Sequence, residues 1–564
     1  MKITGAELTI KIIEKMGITH IAGIPGGSNL PLYDALSKSR IKHILTRHEQ
    51  GAGFIAQGFA RSSGKPGVCF ATSGPGMTNL ITAIADAYLD SVPIIAITGQ
   101  VASHYLGSDA FQEIDAYGLT LPITKHNFLI KSVEELPSSL IEGFNISVEG
   151  RPGPVLIDIP KDIQQKEINL KNNFFENIEG LKKIKSKISG KKYFAINKII
   201  DKINNAKKPL LLIGGGIIQA NASDLIQKFA KKISVPVVST LMGLGAFPGD
   251  DKQFLGMIGM HGSNIANKML YQTDLLMAFG VRFGDRATGA INKFCPGAEI
   301  IHIDIDNSEI NKLKKTNIYL NADIKPVLEI IISEIKRKKN TGAQYFSGGL
   351  KNKPNIKNIR RSNRINPAYF IKKLGSFLKP DDIVVTDVGQ HQMWTAQHYQ
   401  FKKPRTFLTS GGLGTMGFGL PVAIGASISN PDKKIVCITG DGSFMMNIQE
   451  LATLAELNCN ISVFIMNNGG LGLVRQQQEL FYNKNYFASK FALNPDFAKI
   501  SEGFSIKSRK ISSRKNIDKI INDIINDKNP VLANVEIDGE YNVFPMVPPG
   551  AANSKMIGGN QNEQ

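Results

Sequence analysis

Cysteine is scarce in this sequence, and its four residues lie far apart without a C-x-x-C pair. Cys437, for example, sits inside the apolar run IVCITG. Disulfide frameworks and cysteine metal sites need paired or closely spaced residues, so the pattern argues against both. We expect buried, reduced thiols.

Long apolar runs are also missing. No uninterrupted stretch approaches the roughly 20 residues that a membrane helix needs. The first residues, MKITGAELTIKIIEKMG, carry Glu7 and Glu14 within an amphipathic helical pattern, unlike the apolar region of a signal peptide. We therefore expect a cytoplasmic protein without a membrane partner.

Interleaved aromatic and basic residues, typical of nucleic-acid binding, are absent despite a formal charge of +19. The densest basic run, KNKPNIKNIRRSNR at 351–364, is typical of a solvated linker. We predict no nucleic-acid partner and a mild attraction for anionic substrates.

What the sequence does contain is a repeated alternation of short β-branched runs, such as GVCFAT and VPIIAITG, with helical patterns. Its 564 residues exceed one usual hydrophobic core. Polar stretches at 164–192 and 336–364 divide it into predicted domains at 1–165, 190–337 and 365–548. The fold class is therefore α/β, with three doubly wound parallel-sheet domains whose ligands bind beyond the carboxyl ends of strands.

The strongest chemical signal follows the strand KIVCITG, where Asp441 lies between Gly440 and Gly442. Glycines let backbone amides approach phosphate, although an Asp here could also be a plain helix N-cap. MNIQELATLAELN then predicts a helix and CNISVFIM a strand, which brings Asn467 and Asn468 to the same sheet edge. Carboxylate, amide and carbonyl oxygens suit Mg²⁺.

A second glycine motif, GLGTMG at 412–417, fits the dinucleotide fingerprint G-x-G-x-x-G, with Asp432 twenty positions later. In that fingerprint the acid ends the second strand, whereas Asp432 precedes a strand in NPDKK. We reject a dinucleotide site here.

GDG followed at this interval by NN resembles the thiamine diphosphate motif. The resemblance implies that Asp441, Asn468 and the carbonyl of Gly470 hold Mg²⁺ on the cofactor's diphosphate. It also places the diphosphate beside Gly440, Gly442 and Ser443.

Thiamine diphosphate also needs an acid that faces N1′ of its pyrimidine, and RHEQGAGF offers Glu49. By itself, a Glu in a first helical turn is more often a dipole-matched surface residue. However, residues 47–79, together with IPGG, AFQEID and GRPGPVLIDIPKD, resemble the pyrimidine-binding domain of acetohydroxyacid synthase, also called acetolactate synthase. VGQHQMW and SGGLGTMGFGLP agree, so the resemblance covers nearly the full chain.

The resemblance implies roles for further residues. Gln390 and His391 would contact the diphosphate, Gly414 would accept from the 4′-amine, and Met416 would hold the cofactor bent, although Met416 alone could be core filler. The substrate channel would contain Phe111, Gln112, Lys161 and Gly27. Lys161 alone could be a solvated cation, but a positive charge also suits a carboxylate substrate.

The implied reaction decarboxylates pyruvate and transfers the remaining unit to a second 2-oxoacid. Pyruvate gives 2-acetolactate and 2-oxobutyrate gives 2-aceto-2-hydroxybutyrate, for valine, leucine and isoleucine. The family also implies a homodimer or larger assembly, sites shared between chains, and a small regulatory subunit. Alternatives are a pyruvate oxidase, a glyoxylate carboligase, which has Val where this chain has Glu49, and a non-catalytic scaffold.

The middle segment contains PLLLIGGGI, a weak nucleotide signal, and HIDID, which would place His302, Asp304 and Asp306 on one strand face but offers no fourth metal ligand. In the family this domain binds a structural FAD. The matching positions are Arg151, Gly214, Gly215, Gly216, His261, Gly262, Arg282, Arg286, Asp304 and Asp323.

Two positions depart from the family pattern. Relatives usually read R-F-D-D-R, whereas Gly284 here replaces a carboxylate, so we expect weaker flavin binding. Relatives also read V-x-Q-W-Q, whereas VRQQQ has Gln477 in place of Trp. 2-Oxobutyrate is longer than pyruvate by one methylene group, which the indole of that Trp would contact. Without the indole we predict a weaker preference for 2-oxobutyrate.

Overall fold

The computed structural model describes residues 1–178, 180–181, 188–337 and 364–558. Apart from Arg364, the basic run predicted as a linker lies outside the described residues, as do 338–350. Within the described part, no helix is long and apolar enough to cross a membrane.

The first segment forms a six-stranded parallel sheet with the order β3-β2-β4-β5-β7-β6, and β1 pairs antiparallel with β8. Its strands are β1 (Lys2–Thr4), β2 (His20–Gly23), β3 (Lys42–Leu45), β4 (Gly67–Ala71), β5 (Ile94–Gln100), β6 (His126–Leu129), β7 (Val155–Pro160) and β8 (Glu167–Asn169). Its helices are α1 (Gly5–Lys15), α2 (Leu30–Ser37), α3 (Glu49–Ser63), α4 (Pro75–Leu89), α5 (Ala116–Thr120), α6 (Leu136–Val148) and α7 (Lys161–Gln165).

The middle segment forms a second six-stranded parallel sheet with the order β11-β10-β9-β12-β13-β14. Its strands are β9 (Pro209–Ile213), β10 (Val237–Ser239), β11 (Phe254–Met257), β12 (Leu275–Phe279), β13 (Glu299–Asp304) and β14 (Ile318–Asn321). Its helices are α8 (Gly190–Asn205), α9 (Gly215–Gln219), α10 (Ser223–Ile233), α11 (Asn264–Met269), α12 (Asp285–Thr288) and α13 (Ile324–Glu334).

The last segment forms a third six-stranded parallel sheet with the order β16-β15-β17-β18-β20-β19. Its strands are β15 (Ile383–Thr386), β16 (Phe407–Leu408), β17 (Ile435–Gly440), β18 (Ile461–Asn467), β19 (Lys507–Ile511) and β20 (Val531–Glu536). Its helices are α14 (Pro367–Gly375), α15 (Gln390–His398), α16 (Gly419–Ser429), α17 (Asp441–Phe444), α18 (Leu451–Leu457), α19 (Gly472–Phe481), α20 (Phe497–Gly503) and α21 (Ile517–Asn526).

The local chemistry of the sequence explains these elements. The side chain of Thr4 accepts from the amide of Glu7, and the carboxylate of Glu7 accepts from the amide of Thr4. This capping box starts α1. Gly64, with φ of +75°, ends α3. Central strands such as β5 and β17 are buried along their whole length, as expected for parallel strands covered on both faces. The predicted fold class is confirmed.

The first and third segments pack directly against each other through α3 and α16. A Cβ added to Gly58 would lie 2.1 Å from the carbonyl oxygen of Val422, and one added to Gly425 would lie 2.0 Å from that of Ile55. Glycine at both positions is what allows the two backbones to touch. Phe54 and Phe418 meet edge to face beside this contact, with ring centroids 5.5 Å apart.

Two sequence predictions about local structure are corrected. The predicted helix at 446–458 is a 3₁₀ turn (Met445–Glu450) followed by the shorter α18, because Asn447 has non-helical dihedrals and kinks the chain. HIDID does not form one strand face, because β13 ends at Asp304 and Asp306 caps the following turn. All four cysteines are free and buried, as predicted.

Candidate functional site

Each of the three sheets changes winding direction between two neighbouring strands, and the glycine motifs lie at these points. The pairs are β2 and β4, β9 and β12, and β15 and β17. A crevice opens at such a point, beyond the carboxyl ends of the strands. Gly27, Gly214 and Asp441 each follow a strand of one of these pairs within a few residues.

At the third sheet, the residues predicted to hold a cation come together. Asp441 begins α17 directly after β17, and its Oδ2 accepts the amide of Gly470 at 3.1 Å. The same amide lies 3.2 Å from Oδ1 of Asn468, which follows β18. Burial raises the pKa of Asp441 to about 6. No cationic side chain of the described residues pairs with this buried carboxylate, which suits a bound metal ion, so the donor set fits Mg²⁺.

The turn that follows β18, at residues 467–470, is fixed by its own hydrogen bonds. Oδ1 of Asn467 accepts from the amide of Gly469 at 3.2 Å, while its Nδ2 donates to Asn534 at 3.0 Å. Asn467 therefore holds the turn. Gly470 packs so closely on the Ser489 carbonyl that an added Cβ would lie 2.3 Å from it. Residues 489–491 thus pin the backbone that presents the Gly470 carbonyl.

Gln390 and His391 start α15 on the other side of the crevice. Gln390 accepts from Nδ2 of Asn468 at 3.3 Å and donates to Gln476 at 3.0 Å, so its amide faces the metal candidates. Burial lowers the pKa of His391 to about 3, which makes the ring neutral. Its buried Nε2 has no partner within the described chain. An unpaired buried nitrogen of this kind fits a hydrogen bond to a diphosphate oxygen.

Gly414 and Met416 lie in the loop before α16. Gly414 has φ of +72°, and no atom lies within 4 Å of an added Cβ, so its backbone faces open space. The end of the loop is anchored by Asp387, which follows β15 and accepts from the amides of Gly417 and Gly419 at 2.9 and 3.0 Å. Burial raises the pKa of Asp387 to about 6.

Glu49 begins α3 at the carboxyl edge of the first sheet. Its Oε2 accepts from Nδ2 of Asn79 at 2.9 Å, and an added Cβ at Gly76 would lie 3.5 Å from its other oxygen. These neighbours leave Glu49 half-buried rather than on a free surface. The next residue, Gln50, accepts from Asn447 of the third segment at 3.2 Å.

The predicted substrate residues lie along the same edge of the first sheet. Gln112 has φ of +60° and packs against Gly74, which follows β4. Phe111 is 88% exposed, so this aromatic side chain has no packing partner of consequence within the described chain. Lys161 begins α7 after β7, and no atom lies within 4 Å of an added Cβ at Gly27. Gly27, Gly74 and Lys161 thus each follow a different strand of the first sheet at its carboxyl edge.

The middle sheet gathers the positions matched to FAD. Gly214 and Gly216 pack on Gly280, since added Cβ atoms would lie 2.0 and 2.7 Å from its backbone. Nδ1 of His261 and Nδ1 of His302 are buried, and neither has a hydrogen-bond partner in the part of the chain that the structure describes. The three matched arginines have different surroundings: Arg151 pairs with Asp306 and Glu309 at 3.1 Å, Arg282 donates to the Leu89 carbonyl, and Arg286 is exposed beside Asp285. Of the two matched carboxylates, Asp304 accepts from the amide of Asp306 at 2.9 Å and Asp323 caps α13. Gly262 lies beside Gly259.

The metal suggested by HIDID is not supported. His302 bonds the carbonyl of Val281 at 2.9 Å, and Asp306 pairs with Arg151 instead. No group of three or more His, Cys, Asp and Glu side chains suited to a metal occurs within the described residues.

Sequence reasoning overlooked several residues of the site. Asp387 follows a β-branched strand in the same way as Asp441, so the same rule could have found it. Asn447 and Glu450 lay within a stretch read as a regular helix. Glu450 is fully buried, and its carboxylate accepts a hydrogen bond from the amide of Arg47, near Glu49, at 3.0 Å. The two residues are far apart in the sequence, so no local pattern could predict this contact.

Comparison with known proteins covers all three segments. Residues 3–119, 196–331 and 387–535 match the families described as "Thiamine pyrophosphate enzyme, N-terminal TPP binding domain", "central domain" and "C-terminal TPP binding domain". "Acetolactate synthase isozyme 1 large subunit" of Escherichia coli (strain K12) is 47% identical over 560 residues, covering 99% of this chain and 98% of its own.

Two further relatives are similar over the same length. "Acetolactate synthase isozyme 2 large subunit" of the same bacterium is 42% identical over 553 residues, covering 98% of this chain and 99% of its own. "Probable acetolactate synthase large subunit" of Methanocaldococcus jannaschii is 45% identical over 565 residues, covering 98% of this chain and 95% of its own.

Proposed function

We infer that this chain, which belongs to the family of acetolactate synthase large subunits, is a thiamine diphosphate-dependent enzyme that decarboxylates pyruvate and joins the remaining unit to a second 2-oxoacid. With pyruvate as acceptor the product is 2-acetolactate, which serves branched-chain amino acid synthesis. With 2-oxobutyrate it is 2-aceto-2-hydroxybutyrate. The observation that carries this conclusion is the convergence of Asp441 and Asn468 at the winding switch of the third sheet.

We propose that Mg²⁺ binds Asp441, Asn468 and the Gly470 carbonyl. An ion at this point would keep the buried Asp441 carboxylate ionised, which its own surroundings oppose. His391 would donate to a diphosphate oxygen through its otherwise unpaired Nε2, and Gln390 would orient Asn468 by accepting from its Nδ2. When bound, thiamine diphosphate supplies the electron sink that lets a 2-oxoacid lose carbon dioxide.

Glu49 is proposed to exchange a proton at the pyrimidine ring, and Asn79 fixes the orientation of its carboxylate by donating to Oε2. Gly414 would accept from the 4′-amine of the same ring through its carbonyl, and Met416 would hold the cofactor bent. On the substrate side, Lys161 would attract the carboxylate of the 2-oxoacid, while Phe111 and Gln112 enclose it beside Gly27.

We also propose that the working enzyme contains at least two copies of this chain. Among the described residues, the side-chain hydrogen bond of Glu49 stays within the first segment, and those of Asp441 and Asn468 stay within the third. Phe111 and the other open groups of the first edge are thus available to a second chain. The relatives are named large subunits, so a smaller regulatory partner is proposed as well.

FAD is proposed for the middle crevice, where the unpaired His261 and His302 nitrogens and the cationic Arg282 fit a polar cofactor. The reaction has no net redox change, so FAD would be structural.

The test is direct. The full chain is incubated with pyruvate, Mg²⁺ and thiamine diphosphate, with and without a regulatory subunit, while acetolactate and dissolved oxygen are followed. Acetolactate without oxygen consumption is the expected result. Oxygen consumption in step with pyruvate loss would instead indicate a pyruvate oxidase, and no turnover of pyruvate would indicate a scaffold.

A further inference from the structure

A buried ionic cluster lies between the first and third segments, away from the metal candidates. We call Arg61, Asp86 and Asp90 the Arg61 cluster. The guanidinium of Arg61 contacts Oδ1 of Asp86 and Oδ2 of Asp90 at 3.0 Å each. Exposure of the three side chains is 5%, 0% and 0%, so the cluster is buried.

The cluster makes most of its remaining bonds to one loop of the third segment. Asp90 accepts from the amides of Gly411 at 2.9 Å and Gly412 at 2.7 Å. Asp86 accepts from the hydroxyl of Ser410 and from that of Thr415 at 2.9 Å. Arg61 donates to the carbonyl of Thr409 at 3.0 Å. The loop at 409–415 is therefore held at both its backbone and its side chains.

Two glycines of this loop, Gly411 and Gly412, are closely packed. An added Cβ at Gly411 would lie 2.3 Å from Sδ of Met242, and one at Gly412 would lie 2.7 Å from Cβ of Leu89. The loop is thus clamped between α4 and the middle segment. It continues into Gly414 and Met416, whose far side is held by Asp387.

Stability alone gives little reason for such a cluster. Two buried carboxylates share one buried guanidinium, and buried ion pairs are often no better than well-packed apolar groups of the same size. Burial raises the pKa of Asp86 in spite of Arg61, which shows that desolvation opposes the ionised form. Unlike apolar groups, the cluster forms directional hydrogen bonds to the loop backbone and so fixes its conformation.

We propose that the Arg61 cluster positions Gly414 and Met416 against the thiamine diphosphate pyrimidine, so that helices α3 and α4 of the first segment preset a cofactor contact of the third. Arg61, Asp86 and Asp90 are positioning residues here and touch neither cofactor nor substrate. The inference rests on the proposed function, because Gly414 and Met416 have a pyrimidine to meet only in such an enzyme.

The chain provides its own reporter for cofactor binding. Trp394 is the only tryptophan and is 1% exposed. It lies one turn after Gln390 in α15, and its ring is 6.0 Å from that of Tyr541, whose carbonyl accepts from Gln390. Fluorescence of Trp394 should therefore respond to thiamine diphosphate in the presence of Mg²⁺.

The experiment titrates the full-length wild-type chain, Asp90→Asn and Thr415→Val with thiamine diphosphate and Mg²⁺, and measures kcat and KM for pyruvate at saturating cofactor. Thr415→Val leaves the Arg61 pairs intact and so serves if Asp90→Asn folds poorly. Ser62→Ala is the matched control, because it removes a 2.6 Å hydrogen bond between Ser62 of α3, which follows Arg61, and Ser429 of α16, outside the loop.

For Asp90→Asn we expect cofactor affinity roughly tenfold weaker or more, as loss of charge-assisted hydrogen bonds predicts, and a lower kcat with little change in KM. Ser62→Ala should match the wild type in cofactor affinity and kcat. Unchanged affinity and kcat in both Asp90→Asn and Thr415→Val would overturn the positioning role, and so would an equal loss in Ser62→Ala. A wild-type chain that neither binds thiamine diphosphate nor turns over pyruvate would overturn the proposed function instead.

Discussion

Replacing Gly472 by alanine is expected to damage the metal site while sparing the fold. Gly472 begins α19, and an added Cβ would lie 2.1 Å from Oε1 of Gln390 and 2.3 Å from Nδ2 of Asn468. Neither distance is compatible with van der Waals contact, so both amides must turn away. Both belong to flexible side chains, which can move at little cost to folding.

The size of the effect follows from the bonds involved. Gln390 would lose its contacts to Asn468 at 3.3 Å and Gln476 at 3.0 Å, each worth about 0.5–1.5 kcal/mol. Alanine regains up to about 1 kcal/mol of helix propensity. The free energy of unfolding should therefore fall by no more than about 3 kcal/mol. Loss of one oxygen ligand to a cation should weaken Mg²⁺-dependent cofactor binding roughly 10- to 100-fold.

The assay combines thermal unfolding without cofactor with titration of Trp394 fluorescence by thiamine diphosphate at several Mg²⁺ concentrations. Gly503→Ala is the control, since Gly503 ends α20 and nothing lies within 4 Å of an added Cβ. Unaltered cofactor affinity in Gly472→Ala would refute the placement of Asn468 as a ligand. A collapse of stability would refute the argument that the two amides yield easily.

Four other changes test separate parts of the site. Glu49→Gln should abolish turnover but leave the melting temperature near that of the wild type, because the Asn79 contact can be kept; an unchanged rate would remove Glu49 from catalysis. Gln477→Trp should raise the fraction of 2-aceto-2-hydroxybutyrate formed from mixed 2-oxoacids by about fivefold, worth roughly 1 kcal/mol, and a constant product ratio would contradict it. Burial raises the pKa of Asp158 to about 7; because its folded pKa exceeds its unfolded value of 3.8, its contribution to stability is complete below about pH 4 and is lost as pH rises through 7. The melting temperature of Asp158→Asn should therefore fall less than that of the wild type between pH 4 and 8, and parallel curves would contradict the buried-acid argument. Gly284→Asp should increase the amount of FAD that the purified protein retains, measured by its flavin absorbance, since Gly284 is the N-cap of α12 with open space around an added Cβ. Equal flavin content in both proteins would show that the missing carboxylate does not limit binding.

The parallel-sheet architecture could be predicted because its signal is local. Runs such as IVCITG are too apolar for a half-exposed strand, and each is followed by a helical pattern. The convergence of Asp441 and Asn468 was equally accessible, since one strand–helix–strand unit returns the chain to the same edge.

The Arg61 cluster and Glu450 could not be predicted in this way. Arg61 and Asp86 look like ordinary helix residues, and their partners lie more than 300 positions away, at Thr409 and Ser410. The kink at Asn447 was hidden for a similar reason, because its side-chain amide donates to the distant Gly417 carbonyl and to Gln50, in addition to accepting from the nearby Gln449. Contacts between segments are set by tertiary packing, which a periodic pattern does not report.

The glycine contacts between α3 and α16 have a consequence for protein engineering. Because Gly58 and Gly425 bring the backbones of α3 and α16 into contact, neither helix can be replaced by its counterpart from another relative without disturbing the fit to the other. A chimaera that takes its first segment from one relative and its third from another inherits a helix pair selected in two different proteins. Exchange of α3 and α16 together should give active hybrids more often than exchange of either segment alone.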